Sequence, residues 1–276
     1  MRYLALGGDA RMQGAVNAAK KAGWESLWIP GGWQEELPPC DVLMLPWPHS
    51  FKDGRLVTAA GESSVGKEAL LAALGPVQLA IHGSGIEPQE LPFARRTLNP
   101  QEDELFLRRN AQLTAEGAIL RAMQKTEHAL LGSTCLITGY GRIGQELAGR
   151  LVGMGAFVIV CARSEMQMRA AHASGAHPVP FSQLGSAAFA ADVIFNTVPA
   201  QVLDKVVLSM VQKSTLILEL AGAPYGVDRA AAKALGVQVE VESGVPGRYA
   251  PLEAGAALFE AALRLLKREQ EGNGHG

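Results

Sequence analysis

Gly139, Gly141 and Gly144 are spaced G-x-G-x-x-G between an apolar run, Cys135–Thr138, and an amphipathic stretch that begins at Arg142. In a strand–loop–helix setting this spacing suits the pyrophosphate of a dinucleotide. The first glycine can make the tight turn, the second lets the backbone approach the phosphates, and the third lets helix and strand pack closely. The unpaired N–H groups of the helix start, together with its dipole, favour an anion there. Arg142 and Ile143 lie inside the loop as further cofactor contacts. Arg142 could assist with phosphate or stack on adenine, and it could equally face solvent. A nicotinamide dinucleotide is the expectation, with a flavin, another nucleotide or an empty Rossmann turn as alternatives.

The strand expected at Phe157–Cys161 ends where an NAD-type chain carries an acidic residue for the ribose 2′-hydroxyl. Here the residues are Ala162, Arg163 and Ser164. With no carboxylate to repel a 2′-phosphate, and with a guanidinium fork and a hydroxyl to bind one, NADP is expected over NAD. The alternative is a solvated loop arginine. In an open parallel sheet the ligand lies beyond the carboxyl ends of the strands. That rule adds Asn196, Thr197, Val198 and Pro199, then Ala221 and Gly222, then Gly244 and Pro246, as loops to cradle ribose and nicotinamide. A plain strand exit punctuated by proline is the competing reading of Asn196–Pro199.

Elements that could hold these loops alternate along the chain. Short apolar strands are expected at Tyr3–Gly7, Ser26–Ile29, Val42–Leu45 and Val77–Ile81, with a weaker one at Leu105–Leu107. Helices are expected at Ala10–Ala22 and Lys67–Leu74, with a loop-rich stretch from Trp47 to Gly66. After the glycine loop, strands are expected near Val193–Asn196, Thr215–Leu220 and Val237–Val241. Alternation of this kind argues for an α/β chain of two open parallel-sheet domains, the second a Rossmann dinucleotide-binding domain. We expect the first domain over 1–125, the Rossmann domain over 126–250, and a terminal helix over 251–269 packing back on the first. A polar, glycine-rich tail, 270–276, is expected to stay disordered. A helix capped by Thr114 and running to about Glu127 would be the hinge.

The stretch Gly61–Glu68, GESSVGKE, nearly matches a phosphate-binding P-loop but has Glu68 where a hydroxyl should hold magnesium. A surface loop leading into a helix is the reading there. With 25 basic and 27 acidic residues the net charge is −2, which offers no field for nucleic acid or a membrane surface. No signal peptide or membrane span is read from the sequence. Cys40, Cys135 and Cys161 are scattered, as expected for buried thiols in a reducing cytoplasm, and no metal site is expected.

The order and spacing of GGDAR at Gly7–Arg11, TAEGAI at Thr114–Ile119, GYGRIG, CARS at Cys161–Ser164, NTVP at Asn196–Pro199 and GVPG before AP at Gly244–Pro251 resemble the A subunits of dipicolinate synthase. Trp47–Gly75 shows no clear pattern of that family. The resemblance implies oxidation of 2,3-dihydrodipicolinate to dipicolinate with NADP during sporulation, beside a flavoprotein-like B subunit. Homo-oligomerisation is left open.

A flat dicarboxylate needs cations and donors. Arg11, in the first turn of a helix, is the best candidate, with an exposed helix arginine as the alternative. Ser84, flanked by Gly83 and Gly85, could offer a hydroxyl and bare N–H groups, or be an ordinary glycine turn. His82 is a candidate proton acceptor, although strand-end histidines are more often structural. Thr114 would bind substrate. Glu116, kept ionised by the helix start, would act as a base or orient substrate, or be a plain helix carboxylate. Since the cofactor loops follow Gly139 and the anion candidates precede Gly117, a cleft closed by two domains is expected. A non-catalytic NADP-binding subunit and a 2-hydroxy-acid dehydrogenase are the rival readings. The second needs a late-loop histidine, and only His275 follows His177.

Overall fold

A computed structural model describes residues 1–31 and 37–272. The chain divides into two compact units, Met1–Asn110 with Pro246–Gly276, and Ala111–Val245.

In the first unit, β1 (Arg2–Leu6), α1 (Ala10–Lys21), β2 (Glu25–Ile29), β3 (Val42–Met44), β4 (Phe51–Lys52), β5 (Arg55–Thr58), β6 (Gly61–Gly66), α2 (Lys67–Ala73), β7 (Leu79–Ile81) and β8 (Thr97–Leu98) follow in order. Five of the strands form a parallel sheet ordered β2-β1-β3-β7-β8. Its side chains alternate between two cores, as the period of a strand requires. Tyr3, Ala5, Val42, Met44, Leu79 and Ile81 pack on one face, while Leu4, Leu6, Leu43 and Ala80 pack on the other.

The first face is covered by α1 and by the terminal helix. The second is covered by an antiparallel sheet, β4-β5-β6, and by α2, which contribute Phe51, Leu56 and Leu70. The stretch expected to be loop-rich is therefore a small sheet, and the P-loop look-alike is its last strand running into α2. Alternation there is too short and too polar to read without the face it covers.

The helix α3 (Glu104–Lys125) begins where the apolar pattern predicts a strand. Asp103 caps it, its Oδ1 accepting from the backbone N–H of Leu105 at 2.9 Å and of Phe106 at 3.0 Å. The unit boundary falls inside this helix.

The second unit continues with β9 (Thr134–Thr138), α4 (Arg142–Gly153), β10 (Phe157–Ala162), α5 (Glu165–Ala173), β11 (His177–Pro180), α6 (Leu184–Ala190), β12 (Val193–Asn196), α7 (Lys205–Met210), β13 (Leu216–Glu219), α8 (Arg229–Leu235) and β14 (Gln238–Val241). Its six strands are all parallel, ordered β11-β10-β9-β12-β13-β14, the doubly wound arrangement of a Rossmann fold. Strand β11 escapes the sequence pattern because it contains two prolines. At a sheet edge their missing N–H groups cost no ladder bond.

The chain closes with α9 (Val245–Tyr249) and α10 (Pro251–Gly272), which carries Phe259 edge-on to Tyr3 at 5.5 Å and to Trp24 at 5.1 Å. The helix includes the first residues of the expected tail, and 273–276 lie outside the described residues. All three cysteines are free and buried; burial pushes the thiol of Cys40 up to about 11 and that of Cys161 up to about 12. No helix among the described residues is long and apolar enough to cross a membrane.

Candidate functional site

In the second unit, β9 and β12 are neighbours at the point where strand order reverses, and the glycine loop leaves β9 there. Gly139 has φ +86° and donates its N–H to the Cys161 carbonyl at 2.8 Å. A methyl group on it would meet Val198 Cγ2 at 2.8 Å and Thr197 Oγ1 at 2.9 Å. At Gly144 a methyl group would run into the carbonyl oxygen of Gly139, so only glycine allows α4 to approach the turn. Gly141 caps α4 without a side chain, and a methyl group there would meet nothing within 4 Å. The open side of the turn thus lies at the start of α4, where Gly141 offers no capping side chain. Open space at the middle glycine beside closed space at the other two fits a pyrophosphate.

The strand ends beside the turn carry a chain of buried polar groups. Thr138 Oγ1 donates to Asn196 Oδ1, and Asn196 Nδ2 donates to Glu219 Oε1 at 2.7 Å. Glu219 also accepts from Ala221 N at 3.0 Å, Gly226 N at 2.8 Å and Val227 N at 2.9 Å. Asn196 is wholly buried with its amide spent internally, and the N–H of Ala221 is spent on Glu219. Both residues help to shape the loops that leave β12 and β13. Thr197 is anchored through Oγ1 to the Thr138 carbonyl at 2.7 Å, and Val198 and Thr197 face Gly139. Pro199 and Gly222 are exposed. Gly244 belongs to the second unit, whereas Pro246 belongs to the first, in the opening turn of α9. Glu219 escapes sequence reasoning because one acidic residue ending an apolar strand carries no spacing signal.

At the end of β10, Arg163 is exposed and its guanidinium lies over the Phe181 ring at 5.8 Å. Ser164 caps α5, its Oγ accepting from Gln167 N at 3.2 Å, which leaves the hydroxyl proton to donate.

In the first unit the loops after β1, β3 and β7 lie on adjacent strands. Asp9 caps α1 and grips Arg11: Nε to Oδ1 at 2.9 Å and Nη2 to Oδ2 at 2.8 Å. Burial would raise the Asp9 carboxyl, but the Arg11 hydrogen bonds and charge hold it below the usual range. Arg11 also lies over the Trp47 ring at 5.8 Å, and Gly247 packs against its guanidinium. Arg11 therefore offers Nη1 rather than an open fork.

His82 is buried, with Nδ1 3.1 Å from the Gly83 carbonyl, so it does not stand at the surface as a proton acceptor. Among the described residues of the first unit the exposed histidine is His49, whose Nδ1 lies 2.5 Å from Ser84 Oγ. A methyl group on Gly85 would collide with the Phe51 carbonyl, which explains the glycine beside Ser84. Lys67, the lysine of the P-loop look-alike, reaches the Gly85 carbonyl at 3.4 Å and pairs with Glu90.

Thr114 and Glu116 are not at a helix start. Both sit in the middle of α3 within the second unit, with Thr114 buried. Glu116 pairs with Arg150 at 3.5 Å, in the last turn of α4 and so at the opposite end of that helix from the glycine loop. Glu116 therefore lies on the middle of a helix and not at its start.

Residues 106–238 match the family described as D-isomer specific 2-hydroxyacid dehydrogenase, NAD binding domain. The A subunit of dipicolinate synthase from Bacillus subtilis (strain 168) is 34% identical over 165 residues, 60% of this chain and 56% of that protein. The aligned stretch thus spans little more than half of that relative. A crystal structure of the dipicolinate synthase A chain from Bacillus subtilis superposes with a TM-score of 0.81 at 25% identity, covering 99% of this chain and 97% of that one. In sequence over that stretch and in fold over nearly its whole length, this chain is similar to the dipicolinate synthase A subunits. The corresponding structure from Bacillus halodurans shares the fold, with a TM-score of 0.82 at 24% identity over 96% of this chain and 97% of its own. The second unit is accordingly a dehydrogenase-type NAD-binding domain, and a nicotinamide dinucleotide is the cofactor this supports.

Proposed function

We propose that the chain is an NADP-dependent dipicolinate synthase A subunit, oxidising 2,3-dihydrodipicolinate to dipicolinate beside a flavoprotein-like B subunit during sporulation in the cytoplasm. The observation that carries the cofactor half is the glycine turn, closed at Gly139 and Gly144 and open at Gly141. The relatives named above supply the substrate class. A bound nicotinamide would supply a two-electron hydride acceptor. The residues of this chain do the rest. Gly141, Arg142 and Ile143 hold the pyrophosphate, and Arg163 and Ser164 hold a 2′-phosphate. Thr197, Val198, Pro199, Gly222 and Gly244 bound the nicotinamide side. Arg11 and Ser84 bind the carboxylates. Aromatisation of the ring drives the reaction, so positioning, charge complementarity and water exclusion are the main demands on the protein.

The 2-hydroxy-acid dehydrogenase reading draws on the family match, but among the described residues no histidine follows His177. The test is turnover of 2,3-dihydrodipicolinate with NADP, followed at 340 nm, by the purified chain alone and with its partner subunit. Turnover by the chain supports the reading. NADP binding with no turnover in either case would make a non-catalytic role the better account.

A further inference from the structure

NADP and NAD differ at one group, the phosphate on the 2′-oxygen of the adenosine ribose, so the choice between them falls to the side chains at the end of β10. Arg163 stands there, exposed. Arg2, Arg11, Arg121, Arg150, Arg169 and Arg264 each grip a carboxylate. Arg163 is held differently: among the described residues no carboxylate pairs with it, and its guanidinium lies over the Phe181 ring at 5.8 Å.

The sheet sets the two residues side by side. Strands β10 and β11 run parallel and in register as far as Ala162 and Pro180, and Arg163 and Phe181 are the next residue of each. The bond from Gly139 N to the Cys161 carbonyl, at 2.8 Å, ties the same strand end to the glycine turn. Phe181 is itself anchored. It is half buried, packs against the core of the second unit that holds Val179 and Leu184, and opens a single 3-10 turn, Phe181–Gln183. The ring therefore joins that core to the guanidinium, and both residues lie in the unit that carries the glycine turn.

A free arginine side chain loses rotamer entropy when a ligand fixes it, and a contact that already restrains it removes part of that cost. The restraint here comes from a π-face, which takes up none of the strong acceptors' places on the N–H fork that a phosphate needs. A carboxylate in the same position would hold the arginine and occupy its fork together. We propose that Phe181 is a positioning residue for cofactor choice, holding the Arg163 guanidinium ready for the 2′-phosphate of NADP, an inference that rests on the NADP reading above. NAD, with a hydroxyl in that place, gains nothing from the ring.

The experiment is equilibrium titration of the full chain with NADP and NAD, and with adenosine 2′,5′-bisphosphate and 5′-AMP, which carry the adenosine end alone. Phe181→Leu keeps the apolar bulk and removes the π-face. It should weaken NADP and the bisphosphate by about two- to fivefold and leave NAD and AMP unchanged. Phe181→Tyr should bind all four as wild type does. With Arg163→Ala already in place, Phe181→Leu should change nothing further, since the ring acts through the guanidinium. A ring that only fills the core would alter the melting temperature and leave the ratio of NADP to NAD affinity where it is. If Arg163→Ala lowers that ratio while Phe181→Leu does not, or if the Phe181→Leu loss persists in the Arg163→Ala background, the role of Phe181 is overturned and the NADP reading stands. A ratio unmoved by Arg163→Ala removes both.

Discussion

Asn196 and Glu219 stand side by side on β12 and β13, joined by a 2.7 Å hydrogen bond from Asn196 Nδ2 to Glu219 Oε1, both fully buried. The bond ties the strand that follows the switch point to the loop 220–227, whose N–H groups turn inward onto the same carboxylate. A carboxylate suits this place because it only accepts, and every neighbour donates.

Glu219→Gln keeps the shape but puts an amide donor where an acceptor stood. Either orientation leaves two buried donors facing it. We expect a loss of about 2–6 kcal/mol, on a scale of about 1–3 kcal/mol for each buried group left unsatisfied. Urea unfolding measures it, and a midpoint equal to wild type would show that the network carries no stability.

Gly141→Ala and Gly144→Ala should part company. The first adds a methyl group where nothing stands within 4 Å, so the melting temperature should hold while NADP binding weakens. The second forces α4 off the turn and should lower both. Unchanged NADP affinity in Gly141→Ala would remove the pyrophosphate from this face.

Arg163→Ala should weaken NADP by roughly 1.5–3 kcal/mol, the worth of hydrogen bonds to a charged group, and leave NAD nearly unchanged. Fluorescence titration with both cofactors decides it. Equal losses would mean that Arg163 supports the adenosine end without reading the 2′-phosphate.

Asp103 ties α3 to α10, accepting from Arg264 Nε at 3.0 Å. Burial would raise its carboxyl, but the Arg264 hydrogen bond and charge and two helix N–H groups hold it below the ordinary aspartate value. A carboxyl depressed by folding stabilises the protein above its unfolded value, and that stability is lost as pH falls through the folded value. Asp103→Asn should therefore be less stable at pH 7 and lose less between about pH 5 and pH 2 than wild type does. Melting curves across that range check it. Parallel losses in the two proteins would show that Asp103 is not the titrating group.

The sequence by itself determined the cofactor half. A G-x-G-x-x-G turn encodes a local strand–turn–helix geometry, because the steric need for glycine at Gly139 and Gly144 arises within a few residues and one neighbouring loop. Alternating apolar runs fixed the two parallel sheets for the same reason, since a strand's period is written in its own residues. Tertiary structure alone decided the rest. Asn196 reads as an exposed loop residue until β13 brings Glu219 beside it. Glu116 reads as a helix-start carboxylate until Asp103 is found to cap α3 well upstream of Thr114. His49 and Ser84 lie 35 positions apart, and only the pairing of β3 with β7 and the stitching of their loops brings the imidazole to the hydroxyl. Chemistry that depends on long-range contacts leaves no spacing in the chain to read, because the distance that matters is set by the sheet and not by the sequence.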